Sequence, residues 1–101
     1  MSAPSNPAKF DDLIHAPVRL RICASLAPLQ WAEFGQLRDS LGVADSVLSK
    51  HLKQLTDAGY VYVERFTKGG RSHVRVALTV EGRKAYVCHV AALRAMTETV
   101  D

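Results

Sequence analysis

The chain has 101 residues, of which 48% are hydrophobic, a size and composition typical of one small folded domain and not of a disordered chain. It has no apolar stretch of the roughly 20 residues that a membrane span requires, and its first residues lack the pattern of a signal peptide. We therefore expect a cytoplasmic protein without a membrane segment. The net charge is +3, and residues 46–75 carry six basic against two acidic side chains, which indicates a surface for an anionic partner.

The first predicted elements are a tail and two short helices. Residues 1–6 are polar and contain proline, so we expect a disordered tail before a single domain over residues 7–101. Asn6 is the predicted N-cap of the first helix, with Pro7 at its first helical position. A second helix is predicted to begin at Pro17, where a proline is tolerated.

A pair of helices joined by a tight turn follows a short edge strand predicted at residues 29–32. The first helix of the pair has apolar residues at positions i, i+3 and i+7, namely Phe34, Leu37 and Leu41. Gly42 suits the position after its last turn. Asp45 is then expected to cap the next helix, over residues 45–58. Two helices separated by a three-residue turn that contains glycine are typical of a helix-turn-helix.

The helix at residues 45–58 is predicted to contact DNA. At about 100° per residue it buries a narrow arc of leucines and leaves a polar face outward. Its candidate DNA contacts are Ser46, Ser49, Lys50 and Lys53, of which the first three are expected near base edges and the last near phosphate. Asp57 is expected to lie clear of the duplex. Alternatively, the lysines only solvate an exposed face, and His51 either contacts DNA or packs at the core edge.

A β-hairpin is predicted from two strands over residues 60–66 and 73–78, which flank a turn at 67–72. The turn contains a glycine pair that supplies positive φ angles. Its candidate DNA contacts are Lys68, Gly69, Gly70 and Arg71, with the arginine placed to enter a minor groove. A solvated hairpin end is the alternative. His73 and Arg75 either add phosphate contacts from the strand or face solvent.

These elements together predict a winged helix-turn-helix, mainly α with a small β-hairpin and with additional dimerisation helices at both ends. Thr79 is the predicted cap of the last helix, over residues 80–99. This helix and the first one carry apolar side chains that a minimal winged helix has little core to cover. The predicted dimer interface consists of Phe10, Leu13, Ile14, Tyr86, Val90, Leu93 and Met96. A second copy is the simplest partner, and packing onto the chain's own domain is the alternative.

The sequence resembles the MarR and ArsR group of bacterial and archaeal winged-helix regulators, most closely the small MarR-like type. The resemblance covers about residues 10–93 and rests on HAPVRLRI at 15–22, LSKHLKQLTDAGYV at 48–61, GGR at 69–71 and LTVEGRKA at 78–85. It implies a homodimer that binds double-stranded DNA at a roughly palindromic operator, with Ser46, Ser49, Lys50 and Arg71 at positions that such proteins use. Metal sensors of the ArsR type carry Cys-x-Cys before the recognition helix, where this chain has Glu33 and Gly35, so we expect no such metal site.

Other functions are weighed against DNA binding. The chain is alternatively a protein-protein interaction module, or a regulator with an unknown small-molecule effector near the dimer interface, beside Trp31, Tyr86 or His89. It has no nucleophile motif, paired carboxylates or phosphate-binding loop, so we predict neither enzymatic activity nor a cofactor. Cys23 and Cys88 are expected to be reduced core thiols, with a redox pair as the alternative.

Overall fold

The computed structural model describes residues 7–98 and has the element order of a winged helix. Its helices are α1 (Asp12–His15), α2 (Pro17–Leu26), α3 (Phe34–Leu41), α4 (Asp45–Asp57) and α5 (Val80–Thr97). Its strands are β1 (Ala32–Glu33), β2 (Val61–Lys68) and β3 (Arg71–Leu78), which form an antiparallel sheet in the order β1-β3-β2. The predicted fold class is thus confirmed. Within the described residues, no helix combines the length and the apolar character that crossing a membrane requires.

The core is formed by the apolar sides of the helices and by the ends of β2 and β3 nearest to them. Its most buried side chains include Ile14, Ile22, Leu26, Leu48, Leu55 and Val76. Burial of each such side chain stabilises the fold by roughly 1.5–3 kcal/mol. The leucines of α4 are therefore held inward, and this fixes which face of α4 meets solvent.

The first helix begins later than the sequence predicts. Pro7 and the residues up to Asp11 are not helical, so the predicted helix start at this proline is wrong. Asp11 is the N-cap instead, because its carboxylate accepts a hydrogen bond from the N–H of Ile14 at 3.0 Å. Asn6, the predicted cap, and the predicted tail over residues 1–6 lie outside the described residues.

Contacts with α5 explain why this segment is extended. The N–H of Lys9 donates to the carbonyl oxygen of Cys88, and the N–H of Asp11 donates to Nδ1 of His89, both at 3.0 Å. The hydroxyl of Tyr60 donates to the Asp11 carboxylate at 2.6 Å, and this bond is the largest cause that raises the pKa of Tyr60 to about 12. These tertiary hydrogen bonds outweigh the local helix signal of a proline.

The first strand is shorter and later than predicted. Residues 29–32 were expected as an edge strand, but β1 consists of Ala32 and Glu33, which pair with Val76 and Arg75 of β3. The strand is at the edge of the sheet, as expected. The N–H of Leu29 donates instead to the carbonyl oxygen of Leu26 at 2.9 Å, in the turn after α2, so the strand begins only where the chain pairs with β3.

Helix α5 begins where the sequence predicts. The Thr79 hydroxyl accepts a hydrogen bond from the N–H of Gly82 at 2.9 Å, which confirms the predicted cap. Gly82 is buried against the chain after α4, and a Cβ atom there would overlap the carbonyl oxygen of Tyr60. The helix ends at Thr97, two residues before the predicted end, which lies outside the described residues.

Candidate nucleic-acid interface

Helices α3 and α4 form the predicted helix-turn-helix. Gly42 follows α3 in the left-handed conformation, with φ of 67°, and its N–H donates to the carbonyl oxygen of Arg38 at 2.9 Å. Glycine adopts this conformation without a steric cost, so the predicted C-cap is confirmed. The short turn brings the N-terminus of α4 beside the C-terminus of α3.

Asp45 does not cap α4, and that prediction is wrong. Ala44 occupies the N-cap position, where no side chain accepts a hydrogen bond. The Asp45 carboxylate instead accepts from Nη1 of Arg38 at 2.9 Å, across the turn. The pKa of Arg38 is raised above its usual range, mainly by its hydrogen bond to Asp39 and then by its hydrogen bond to Asp45. The carbonyl oxygen of Ala44 accepts from the N–H of Leu48 at 3.0 Å, so Asp45 is already the first residue of the helix, one position beyond the cap.

The outer side of α4 carries the four predicted DNA contacts, and we call it the α4 face. Its residues are Ser46, Ser49, Lys50 and Lys53, all of them exposed. The leucines on the opposite side are at most 3% exposed, as the predicted arc requires. Nζ of Lys53 lies 3.2 Å from a carboxylate oxygen of Asp57. Such an exposed pair contributes only about 0.3–0.5 kcal/mol, so an incoming phosphate can replace the carboxylate.

His51 packs beside the α4 face. Its Nδ1 lies 3.1 Å from Nη1 of Arg19 and 3.2 Å from Oε1 of Gln54, and the side chain is partly buried. Burial, and then the charge of Arg19, lower the pKa of His51. These contacts favour the packed interpretation of this histidine over a DNA contact.

The hairpin is longer than predicted. Strands β2 and β3 pair without interruption from Val61 opposite Leu78 to Lys68 opposite Arg71. The turn is therefore not residues 67–72 but only two glycines, Gly69 and Gly70, with φ of 60° and 76°. Positive φ at both positions matches the twist of the flanking strands, which is why the pairing extends to the tip.

The wing tip consists of Lys68, Gly69, Gly70 and Arg71, all of them exposed. Because the two cations are directly opposite in the register, they repel each other. An anion bound between them would relieve that repulsion. The glycines bring no side chain into the space around the turn, where an added Cβ atom would meet nothing within 4 Å. The tip is thus suited chemically to a phosphate or to the negative potential of a minor groove.

His73 and Arg75 are engaged by partners on the outer face of the sheet. Nε of Arg75 donates to Glu64 at 2.6 Å, and its guanidinium lies 5.3 Å from the ring centre of Trp31. Nδ1 of His73 lies 3.4 Å from a carboxylate oxygen of Glu33. Both side chains are partly buried. These contacts hold both side chains against the outer face of the sheet, and the phosphate contacts expected from the sequence remain a prediction for them.

An open groove of about 580 Å³ separates α4 from the wing. Ser49 and Lys53 line its α4 side, and Val63, Arg65 and Val74 line its strand side. Arg65 was not among the predicted contacts. Strand alternation is the signal that places it, because side chains two apart share a face and the buried Val61 marks the face toward α4.

The α5 surface includes part of the predicted dimer interface. Tyr86 and Val90 line an open groove of about 630 Å³ along the helix. Leu93 is partly buried, as are Phe10 and Leu13, whereas Met96 is 63% exposed. Ile14 is 0% exposed and belongs to the chain's own core. Its side chain cannot contact a partner, so its assignment to the dimer interface is wrong. Of the remaining residues, Tyr86 and Val90 share the α5 groove, and Leu13 and Tyr86 also pack against the core.

Two of the three candidate effector residues, Trp31 and His89, lie in different side-chain clusters. Trp31 packs against Phe66 on the sheet, with ring centres 5.6 Å apart, whereas His89 packs against Phe10 at 4.8 Å. Residues 7–98 contain no group of three potential metal ligands. Cys23 and Cys88 are buried free thiols. Burial, and then the charge of Asp11, raise the pKa of the Cys23 thiol to about 12, which keeps it protonated at neutral pH.

Known proteins with similar sequences and structures agree with this geometry. The profile of the family described as winged helix DNA-binding domain matches residues 18–97, and the chain belongs to this family. An uncharacterized protein of Methanocaldococcus jannaschii is 27% identical over 89 residues, which are 88% of this chain and 97% of that protein. The solved structure of a transcriptional regulator homologue from Pyrococcus horikoshii OT3 has a TM-score of 0.79 at 26% identity and covers 83% of each chain.

A second similar solved structure belongs to the MarR family. A MarR-family transcriptional regulator from Silicibacter pomeroyi is 27% identical, with a TM-score of 0.60 over 88% of this chain and 62% of that one. The resemblance expected from the sequence is therefore confirmed at the level of winged-helix regulators that include the MarR family.

Proposed function

We propose that the protein is a sequence-specific transcriptional regulator that binds double-stranded DNA as a homodimer at a palindromic operator. One observation carries the proposal: the α4 face and the wing present exposed cations and hydroxyls to a common groove, between Ser49 and Lys53 on one side and Arg65 on the other. A DNA duplex carries phosphates at regular intervals along a rigid surface, so cations on both sides of the groove can contact it at the same time. Membership in a DNA-binding family supports the same conclusion.

The two parts of the surface have different proposed roles. Ser46, Ser49 and Lys50 are near the start of α4, the end of a recognition helix that meets base edges in a major groove. Lys53 is a turn farther on and suits backbone phosphate. Lys68 and Arg71 of the wing tip suit phosphate or the adjacent minor groove. The proposal therefore assigns sequence preference to α4 and general affinity to the wing.

Dimerisation is proposed from the apolar α5 surface. A single winged helix makes few contacts, whereas two recognition helices about 34 Å apart contact two half-sites and recognise a palindrome. The proposed interface comprises Phe10, Leu13, Tyr86, Val90, Leu93 and Met96. An exposed methionine near the end of a helix is consistent with an apolar contact that the single chain lacks.

The alternative functions predict other surfaces. A protein-protein interaction module would present an apolar or acidic α4 face, whereas the exposed residues here are serines and lysines. An effector-sensing regulator needs a ligand pocket beside Trp31, Tyr86 or His89. Trp31 and His89 belong to different side-chain clusters, and the open groove at Tyr86 lies on the proposed dimer surface. Neither alternative has an observation of its own that favours it.

The proposed function is tested by duplex binding at increasing salt, with DNA from upstream of the protein's own gene and a scrambled duplex of equal length. We expect preference for the natural sequence and a steep loss of affinity, roughly 10³-fold between 50 and 200 mM salt for six phosphate contacts. Absence of duplex binding at low salt would contradict the proposal. Binding without a preference between the duplexes would contradict its sequence-specific part.

A further inference from the structure

The groove between α4 and the wing has the chemistry of a nucleic-acid backbone. Its strand side combines the apolar surface of Val63 and Val74 with the guanidinium of Arg65, and its α4 side carries Ser49 and Lys53. A sugar-phosphate strand has the same alternation, since the sugars are less polar than the phosphates between them. Arg65 is exposed, and none of the ion pairs among residues 7–98 includes it.

The geometry of a duplex determines what must lie in this groove. Neighbouring major and minor grooves of DNA are separated by one sugar-phosphate strand. If α4 lies in a major groove and the wing tip lies at the adjacent minor groove, the dividing strand has to pass between α4 and β2. The α4–wing groove is the space between those two elements.

We infer that the α4–wing groove holds this dividing strand and that Arg65 is its principal phosphate contact, an inference that rests on the proposed function. A guanidinium binds a phosphate through two parallel N–H groups. Its place on β2, on the strand face that includes the buried Val61, brings the side chain to the groove opposite Ser49 and Lys53. The contact is to backbone, and it carries no sequence preference.

Asp57, which the sequence predicts to lie clear of the duplex, would instead lie beside the strand and weaken this contact. Its carboxylate lines the same groove and pairs with Lys53, so it neutralises one cation that the strand would otherwise meet. Asp57 is also the last residue of α4, where a negative charge is unfavourable beside the helix dipole. Removal of its charge should strengthen DNA binding without loss of stability. A folding defect cannot produce that result, because it would only weaken binding.

The test compares the full-length parent with Arg65→Gln, Asp57→Asn and, as a control, Lys84→Gln, which removes one charge from an exposed residue of α5. Affinity for the natural and scrambled duplexes is measured at several salt concentrations. We expect Arg65→Gln to weaken both duplexes at least tenfold and to lower the slope of log affinity against log salt by about 2, because the proposed dimer loses one phosphate contact in each subunit. We expect Asp57→Asn to strengthen binding roughly two- to fivefold. The control should change neither quantity appreciably.

The outcomes separate this inference from the proposed function. If the parent binds and prefers its own sequence while Arg65→Gln behaves like Lys84→Gln, the groove does not hold the strand and the proposed function stands. If Asp57→Asn weakens binding, the assigned position of the strand is also wrong. If Arg65→Gln alters the preference between duplexes, its contact is to a base and not to backbone. If the parent binds no duplex, both proposals are overturned.

Discussion

The backbone N–H of Asp11 donates a hydrogen bond to Nδ1 of His89 at 3.0 Å and joins the segment before α1 to α5. An acceptor at Nδ1 carries no proton, so the proton of the neutral ring is on Nε2, which lies 3.3 Å from Nδ1 of His15. His89 is 0% exposed and is packed against Phe10. The contact thus requires a neutral histidine in the interior.

Acidification should therefore destabilise the fold. Burial, and then the charge of His15, lower the pKa of His89 below 6.5, while Asp11 and Asp12 act weakly in the opposite direction. The unfolded chain then binds a proton that the folded chain does not. The contribution of His89 to the free energy of unfolding is therefore complete above pH 6.5. At lower pH this contribution decreases by up to about 1.4 kcal/mol per pH unit, until the pH reaches the pKa of His89 in the folded chain. Urea unfolding at pH 7.5 and 5.5 measures the loss.

The control for this pH dependence is His89→Asn, whose side-chain oxygen can accept the Asp11 N–H without titrating. The pH-dependent loss should be smaller in this variant, even if the variant is less stable at both pH values. His51, whose pKa is also lowered, contributes equally to both proteins and cancels in the comparison. An unchanged pH dependence in the variant would exclude His89 as the responsible group.

Gly82→Ala should strongly destabilise the protein. Alanine normally stabilises a helix by up to about 1 kcal/mol relative to glycine, but here the added Cβ would overlap the backbone of Tyr60. Overpacking of this kind costs roughly 1–3 kcal/mol. Gly35→Ala is the matched control, because its Cβ would meet nothing closer than the end of the Arg38 side chain at 3.6 Å. Thermal unfolding should show a loss for the first variant and none for the second.

Met96→Glu should shift the proposed dimer toward monomer. The residue is 63% exposed in the single chain, so a charge there leaves the fold intact but is costly inside an apolar interface. Val80→Glu is the control, because Val80 is 83% exposed at the opposite end of α5 and lies outside the proposed interface. Sedimentation velocity should show at least tenfold weaker association, about 1.4 kcal/mol, for the first variant alone. A parent that sediments as a monomer at micromolar concentration would remove the dimer from the proposal.

The helices and the hairpin could be predicted from sequence because their signals are local. The leucine spacing of α4, the glycine after α3 and the threonine before α5 each act within a few residues, and all three predictions agree with the structure. The hairpin tip was located correctly for the same reason. Its strands proved longer because two glycines alone suffice for the turn.

Predictions failed where a residue distant in sequence forms the hydrogen bond that a local rule assigns to a neighbour. Asp45 satisfies every local rule for a cap, yet Arg38 from α3 takes its carboxylate. Pro7 resembles a helix start, but the segment bonds to α5 instead. Strand alternation puts Arg65 on the same face as Val61, but its role as a contact also requires that α4 and β2 face each other across the groove. Sequence spacing alone does not contain that proximity.

The most direct test of the DNA-binding proposal compares Lys50→Ala and Arg71→Ala with the parent, on the natural and scrambled duplexes. The α4 residue is proposed to contact a base and the wing residue to contact phosphate or minor groove. Lys50→Ala should lower the preference for the natural duplex at least tenfold, since each of the two base contacts in the proposed dimer contributes about 1–3 kcal/mol of discrimination. Arg71→Ala should weaken both duplexes to a similar extent. Parent-like affinity and preference in both variants would contradict the assignment of α4 and the wing to DNA.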